Sequence, residues 1–176
     1  MGNFYTNVSL RNATAVAAAD AMRELNRDAF VVQCGNDAVV FDKETDDQDT
    51  EILAALAEHL AVNLNSTAFA VLNHDDDILW FQVYHGSELV AEYCNRGGPW
   101  TKVEALCGIW GANASRLSVW LALHRPYLFQ VWRHEKLVRL LGLPIASVGS
   151  GYNYITRGEL PYDTQTDQLI QVRRTG

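Results

Sequence analysis

The residues best suited to chemistry form one short polar run, NHDDD, at positions 73–77. This run brings an imidazole and three carboxylates into a single turn. Hard cations such as Ca²⁺ and Mg²⁺ take several oxygen ligands, which clustered aspartates can supply. One hypothesis is therefore a metal-dependent hydrolase. Its candidate ligands are His74, Asp75, Asp76 and Asp77.

The same run also fits an ordinary hairpin turn. Asn and Asp are common in tight turns because their side chains hydrogen-bond to the nearby backbone. The spacing of an EF-hand is missing, and the chain has no HExxH pattern. We prefer the solvated turn and keep the metal or catalytic site as an alternative.

A second acidic cluster, DKETDDQD, occupies positions 42–49 and leads into a predicted helix. Acidic residues suit this place because the N-terminal end of a helix is electropositive. Like charges this close repel each other unless a cation or a basic partner is present. The loop is therefore a candidate contact surface for a basic protein. Its acidic residues are Asp42, Glu44, Asp46, Asp47 and Asp49.

Other catalytic patterns are missing from the sequence. The chain contains no G-x-S-x-G nucleophile elbow and no P-loop. The glycine pair in SVGSG, at 147–151, follows a short predicted helix rather than a strand, which is the wrong context for a dinucleotide site. We predict no cofactor and a binding protein rather than an enzyme.

Charge is distributed unevenly along the chain. Residues 1–95 hold sixteen acidic and four basic residues, a net charge of −12, whereas residues 96–176 hold five acidic and ten basic residues, a net charge of +5. The halves can neutralise each other, or the basic half can meet an anionic partner. A DNA-binding protein is therefore the first alternative function. Its candidate phosphate contacts are Arg133, Lys136, Arg139, Arg157, Arg173 and Arg174.

Cysteine usage and hydropathy bear on the compartment. Cys34, Cys94 and Cys107 form no CxxC pair, which is typical of a reducing compartment, so we expect a cytoplasmic protein. No apolar run approaches the roughly 20 residues of a membrane span, so we expect no membrane partner. The expected partner is another protein or a second copy of the chain, with nucleic acid as the alternative.

Hydrophobic periodicity predicts the elements that must hold these residues. It indicates strands at 4–10, 29–34, 38–41, 68–72, 78–84 and 89–94, and helices at 15–26 and 50–64. The order is β-α-β-β-α-β-β-β. It predicts an α+β fold, a mostly antiparallel sheet with two helices on one face, ferredoxin-like with added strands.

The second part of the chain is predicted to be helical. We place the boundary at the RGGP sequence, so that residues 1–95 form the sheet layer and residues 96–176 a helical part packed on it as a single domain. Helices are predicted at 101–109, 114–124 and 129–141, and residues 164–176 form either a late strand around 169–172 or a tail. Four tryptophans are expected to build the core between these helices and the sheet. They are Trp100, Trp110, Trp120 and Trp132.

Two resemblances add to this picture. The stretch LLGLPIASVGSGYNYITRGELP, at 140–161, resembles the helix-turn-helix of excisionase-type DNA-binding proteins, which implies DNA binding. It departs from that pattern at Gly149-Ser150-Gly151, because each glycine costs about 1 kcal/mol inside a helix. Through GNFYTNVSLR, NHDDDILWFQVY and the GELP ending, nearly the whole chain also resembles a group of small uncharacterised bacterial proteins. That likeness implies a coherent unit and no particular activity.

The leading hypothesis is a non-enzymatic interaction protein, in one form an acidic protein that binds a basic protein.

Overall fold

The computed structural model of this chain describes residues 2–97, 103–110 and 115–175. Within these ranges the protein is α+β, built on a seven-stranded sheet in which all neighbouring strands are antiparallel. The strands are β1 (Phe4–Arg11), β2 (Ala29–Cys34), β3 (Asp37–Asp42), β4 (Thr67–His74), β5 (Ile78–His85), β6 (Glu88–Cys94) and β7 (Leu169–Val172). Their order across the sheet is β6-β5-β4-β1-β3-β2-β7.

The described helices form two groups along the chain. The first group is α1 (Ala15–Glu24) and α2 (Thr50–Asn63). The second is α3 (Val103–Ile109), α4 (Arg116–His124), α5 (Gln130–Leu141) and α6 (Tyr152–Thr156). Some of the sequence predictions lie outside the described residues. They are the helix starts at Thr101 and Ala114, the core position of Trp100 and the end of the RGGP boundary.

The predicted late strand is confirmed as β7, which pairs with β2. The second part of the chain therefore contributes a strand to the same sheet as the first part.

Alternate side chains along the strands pack into two separate cores, one on each face of the sheet. Side chains of a strand point alternately to opposite faces. On β4, Ala70 and Leu72 belong to the core that contains the buried residues of α1 and α2. Phe69 and Val71 belong to the core that contains those of α3, α4 and α5. The sheet thus has a helical layer on each face.

Local signals explain where the first two helices begin. The Thr14 hydroxyl accepts a hydrogen bond from Ala17 N and caps α1. The Asp49 carboxylate accepts hydrogen bonds from Glu51 N and Ile52 N and caps α2. Such caps satisfy backbone N–H groups that have no partner in the first turn of a helix.

The segment after α5 packs closely on the sheet. Ala146 and Ile155 are buried against Val32 and Phe41 in a third apolar cluster. A Cβ atom on Gly151 would lie 2.6 Å from Asp46 Oδ1 and 3.0 Å from Tyr5 Cβ, so only glycine fits there. Helix α6 is five residues long and its Ile155 is buried, and the resemblance of this segment to a helix-turn-helix stays a prediction.

The expectation that the tryptophans build the core is only partly met. Trp110 is buried, but Trp120 and Trp132 are 47% and 51% exposed. Their helices pack on the sheet through other residues, among them Val119 and Leu137. Both indole rings are therefore left on the outer side of the helical layer.

No helix of the described ranges combines the length and the hydropathy that crossing a membrane requires.

Candidate functional site

The acidic run at 73–77 forms the hairpin turn between β4 and β5. Asp77 N donates to His74 O at 3.0 Å, and the two central residues, Asp75 and Asp76, have φ angles of 52° and 55°. Two-residue hairpin turns of this kind need positive φ at both central positions, and Asp tolerates that conformation better than most residues. Backbone geometry thus accounts for two of the aspartates.

Asp76 joins this turn to α5. Its buried carboxylate accepts hydrogen bonds from Asn3 Nδ2 at 2.8 Å and from Val131 N at 3.3 Å. Its carbonyl oxygen accepts one from Gln130 N at 2.9 Å. The carboxylate therefore serves as a cap for the first turn of α5, which its own neighbouring residues leave uncapped.

The other candidate ligands have separate partners. His74 Nδ1 and Gln48 Oε1 share a hydrogen bond of 2.7 Å. Asp77 pairs with Arg96 at 2.8 Å, and both side chains are exposed. In the parts of the chain that the structure describes, no group of three or more His, Cys, Asp or Glu residues could hold a metal ion. The turn does not bring the predicted ligands together.

The acidic loop at 42–49 is largely engaged inside the molecule. Arg27 Nη2 donates to the buried carboxylate of Asp42 at 2.6 Å, and Glu44 also pairs with Arg27. Asp46 accepts a hydrogen bond from Asn153 N at 2.7 Å. Asp49 caps α2, and Asp47 is exposed. A partner contact at this loop stays a prediction, and Asp47 and Asp49 are its exposed carboxylates.

Burial and local donors act in opposite directions on two of these carboxyl groups. Burial raises the pKa of Asp42, and the hydrogen bonds and charge of Arg27 oppose that rise. Burial likewise raises the pKa of Asp46, against hydrogen bonds from the backbone N–H groups of Asn153 and Thr6. The charged forms depend on these intramolecular donors.

The basic residues proposed to contact DNA are scattered. Arg139 pairs with Glu135 on α5, Arg157 pairs with Glu159, and Arg174 pairs with Glu44 beside the acidic loop. Arg173 lies next to it and donates to Gln171 Oε1. Lys136 is exposed and forms no ion pair with a described residue. Three of the six cations are thus paired with carboxylates of the described residues, and a DNA contact stays a prediction.

Arg133 is buried rather than exposed. Its guanidinium donates to Arg125 O at 2.6 Å and to the Tyr93 hydroxyl, and it lies 5.1 Å from the centroid of the Tyr127 ring. Among the described residues no carboxylate pairs with it. The aromatic faces and the carbonyl therefore stabilise this charge, and Arg133 holds the α4–α5 connection in place.

A buried pair of titratable groups connects α5 to β1. The Tyr5 hydroxyl and His134 Nδ1 share a hydrogen bond of 2.8 Å, and both side chains are fully inside the protein. Burial raises the pKa of Tyr5 above its ordinary value and lowers the pKa of His134 to about 3. His134 is therefore neutral at neutral pH, and no described group neighbours its Nε2 as a hydrogen-bond partner.

An apolar surface stands out on the outer side of α4 and α5. We define the α4–α5 surface as five large apolar side chains that are at least 40% exposed. They are Leu117, Trp120, Leu128, Phe129 and Trp132. The first two lie one turn apart on α4, the next two in the connection, and Trp132 in the first turn of α5.

Three basic residues lie in or beside the segment that carries the α4–α5 surface. Arg116 precedes Leu117, Arg125 lies in the connection, and Lys136 follows Trp132 by one helical turn. Within the described ranges none of these three cations has an acidic partner. The surface thus combines aromatic rings with free basic groups.

The sequence prediction missed this surface, although a signal was present. The run LSVWLAL, at 117–123, is apolar on more than one side of a helix. A helix that packs on a single sheet can bury one side only, so the surplus had to remain exposed. The expectation that all four tryptophans lie in the core leaves no exposed apolar residues on this helix, and the surface is therefore missed.

Comparison with known proteins gives no relative: the chain matches no protein-family model, no curated protein and no solved structure.

Replacing Asp76 by Ala removes the cap of α5 and leaves buried N–H groups without an acceptor. We expect a loss of about 1–3 kcal/mol in the free energy of unfolding, measured with urea. Asp75→Ala is the matched control, because Asp75 shares the positive φ but is exposed. Equal losses would contradict the capping role. Added Mg²⁺ or Ca²⁺ should not raise the melting temperature of the parent or of either variant.

Replacing Arg27 by Met leaves the buried Asp42 carboxylate without its counter-ion. Removing one partner of a buried pair costs about 3–5 kcal/mol, and we expect a loss of that size in the free energy of unfolding. The control is Arg23→Met, because Arg23 pairs with Asp20 on the surface, where an ion pair contributes about 1 kcal/mol or less. A loss at Arg27 no larger than that at Arg23 would refute this assignment.

Acid should destabilise the protein through His134. In the unfolded chain His134 binds a proton below its ordinary pKa of about 6.5. In the folded protein its pKa is about 3, so it stays neutral between these two pH values. The stability difference between parent and His134→Gln should be constant above pH 7. It should shift against the parent by up to about 1.4 kcal/mol per pH unit between pH 6 and 3. His124→Gln, at an exposed site, is the control, and a flat difference at His134 would be the contrary result.

Proposed function

We propose that this protein is a non-enzymatic binding protein whose partner contacts the α4–α5 surface. The observation that carries the proposal is the exposure of Trp120 and Trp132, together with that of Leu117, Leu128 and Phe129 in the same segment. Clustered apolar side chains with a polar rim are typical of interaction sites on soluble proteins. Aromatic residues and arginine are also enriched at the centres of protein interfaces.

The use of the candidate catalytic groups supports a binding role. The Asp76 carboxylate is occupied by the N–H groups of Asn3 and Val131. The imidazole of His134 is buried and held by Tyr5. His74 and Asp77 contact different neighbours. Groups already committed to holding the fold are poorly placed to act on a substrate.

An acidic protein that binds a basic protein is the second candidate function, and the outer stripe of α2 favours it. We define this stripe as Glu51, Ala55, Glu58 and Val62, all exposed. Neither Glu51 nor Glu58 pairs with a cation in the described ranges. These carboxylates are more available to a partner than Asp42 or Asp46.

The proposed fold and location rest on two further observations. The order β4-β1-β3-β2, with α1 and α2 in one core, supports a ferredoxin-like layout extended by β5, β6 and β7. Cys34, Cys94 and Cys107 are free thiols, which supports a cytoplasmic location.

The proposal is tested by capture. The full chain is immobilised, a lysate of the cells that make it is passed over it, and retained proteins are identified. Trp120→Ser/Trp132→Ser should reduce retention of the partner at least about tenfold, because each lost aromatic anchor costs roughly 1–2 kcal/mol. Leu160→Ser/Tyr162→Ser, which changes exposed residues elsewhere, should retain it fully. Retention that the tryptophan variant does not change, or no specific retention, would overturn the proposal.

A further inference from the structure

We infer that the partner of the α4–α5 surface is a second copy of this chain, which docks through the outer stripe of α2. This inference rests on the proposed function, since it names the occupant of the same surface.

The outer stripe of α2 has the chemistry that the α4–α5 surface lacks. Its four residues recur at helical spacing, so two carboxylates and two aliphatic side chains follow one line along the helix. Val62 is 49% exposed, and Ile52, which is 37% exposed, adds apolar area beside the line. The stripe is therefore both acidic and apolar.

The two surfaces complement each other in charge and polarity. Glu51 and Glu58 can meet Arg116, Arg125 and Lys136, which have no acidic partner in the described ranges. Ala55, between the two carboxylates, and Val62, one turn beyond Glu58, can cover the indole rings. Opposite potentials across an interface guide association and fix its register, while buried aromatic anchors supply affinity.

Helix α1 is a weaker candidate for the same role. Its outward residues include Val16, Asp20 and Arg23, and the last two form an ion pair with each other. The charge of Asp20 is therefore already offset on its own helix. The stripe of α2 carries no such internal cation.

The fold prevents one copy from satisfying both surfaces itself. Helix α2 packs in the core on one face of the sheet, with Ala70 and Leu72 of β4. Helices α4 and α5 pack in the core on the other face, with Phe69 and Val71. The stripe and the α4–α5 surface thus point to opposite sides of the molecule, and only two different copies can bring them together.

Contact between different surfaces of identical chains is head-to-tail. Each added copy leaves one stripe and one α4–α5 surface open, so assembly continues unless the rotation closes a ring. The average mass should rise with protein concentration and pass that of a dimer. High salt should lower it, because exposed charges are screened.

Sedimentation velocity of the full chain, alone and as variants, tests this arrangement. Trp120→Ser/Trp132→Ser disables one surface, and Glu51→Lys/Glu58→Lys reverses the charge of the other. Each variant alone should be monomeric. Mixed together, the two variants should form a complex of two copies and nothing larger, because a single compatible pair of surfaces remains.

The controls are a charge reversal elsewhere and the fold itself. Glu159→Lys/Asp167→Lys changes the same number of exposed acids and should assemble like the parent. The melting temperature of each variant shows whether it is folded.

Several outcomes would overturn the inference. A parent chain that is monomeric at every concentration refutes it, as does an α2 variant that still associates by itself, which indicates that two α4–α5 surfaces meet. If the parent is monomeric but the capture experiment retains another protein through Trp120 and Trp132, the proposed function stands and only the occupant is wrong. If neither self-association nor capture depends on the tryptophans, both proposals fail.

Discussion

The need to satisfy polar side chains inside β1 governs how the rest of the chain is arranged. This strand lies at the centre of the sheet, and its residues from Tyr5 to Leu10 are all buried. Thr6, Asn7 and Ser9 are among them, and a buried polar group without a hydrogen bond is costly. Asn7 Nδ2 donates to the carbonyl oxygens of Ser147 and Ser150, at 2.8 and 2.9 Å. A strand near the start of the chain thereby fixes the position of a segment about 140 residues later.

The same constraint connects the sheet to both candidate regions. Thr6 Oγ1 and Thr45 Oγ1 share a hydrogen bond of 2.9 Å, which holds the acidic loop against β1. Tyr5 meets His134 and so positions α5, the helix that carries Trp132. The acidic loop packs against the sheet, and several of its carboxylates bind groups of the same chain there. The outer side of α5, by contrast, is exposed. The inner contacts thus determine which polar and apolar groups are available for a partner.

Periodicity in the sequence predicted the strands and most of the described helices, α6 excepted, but it did not predict the burial of each face. The predicted strand at 4–10 and helix at 50–64 differ from β1 and α2 by one residue at an end. The polar residues that alternate along β1 are buried because helices cover both faces of the sheet. The turn at 73–77 was predictable from its residue types, but the capping of α5 by Asp76 depends on a partner 55 residues away. The predicted burial of Trp120 is wrong because its helix has more apolar surface than packing on one sheet can bury.

The position of β7 sets the order in which the protein can be completed during synthesis. Its neighbour β2 is made early, yet the bond from Arg174 N to Asp28 Oδ1 spans 146 residues of sequence. Until β7 leaves the ribosome, the outer edge of β2 displays unpaired backbone groups, which can attract other strands. Contacts over such a sequence distance also slow folding, because a long loop must close before they form. While β7 is missing, the edge of β2 therefore stays open to pairing with a strand of another chain.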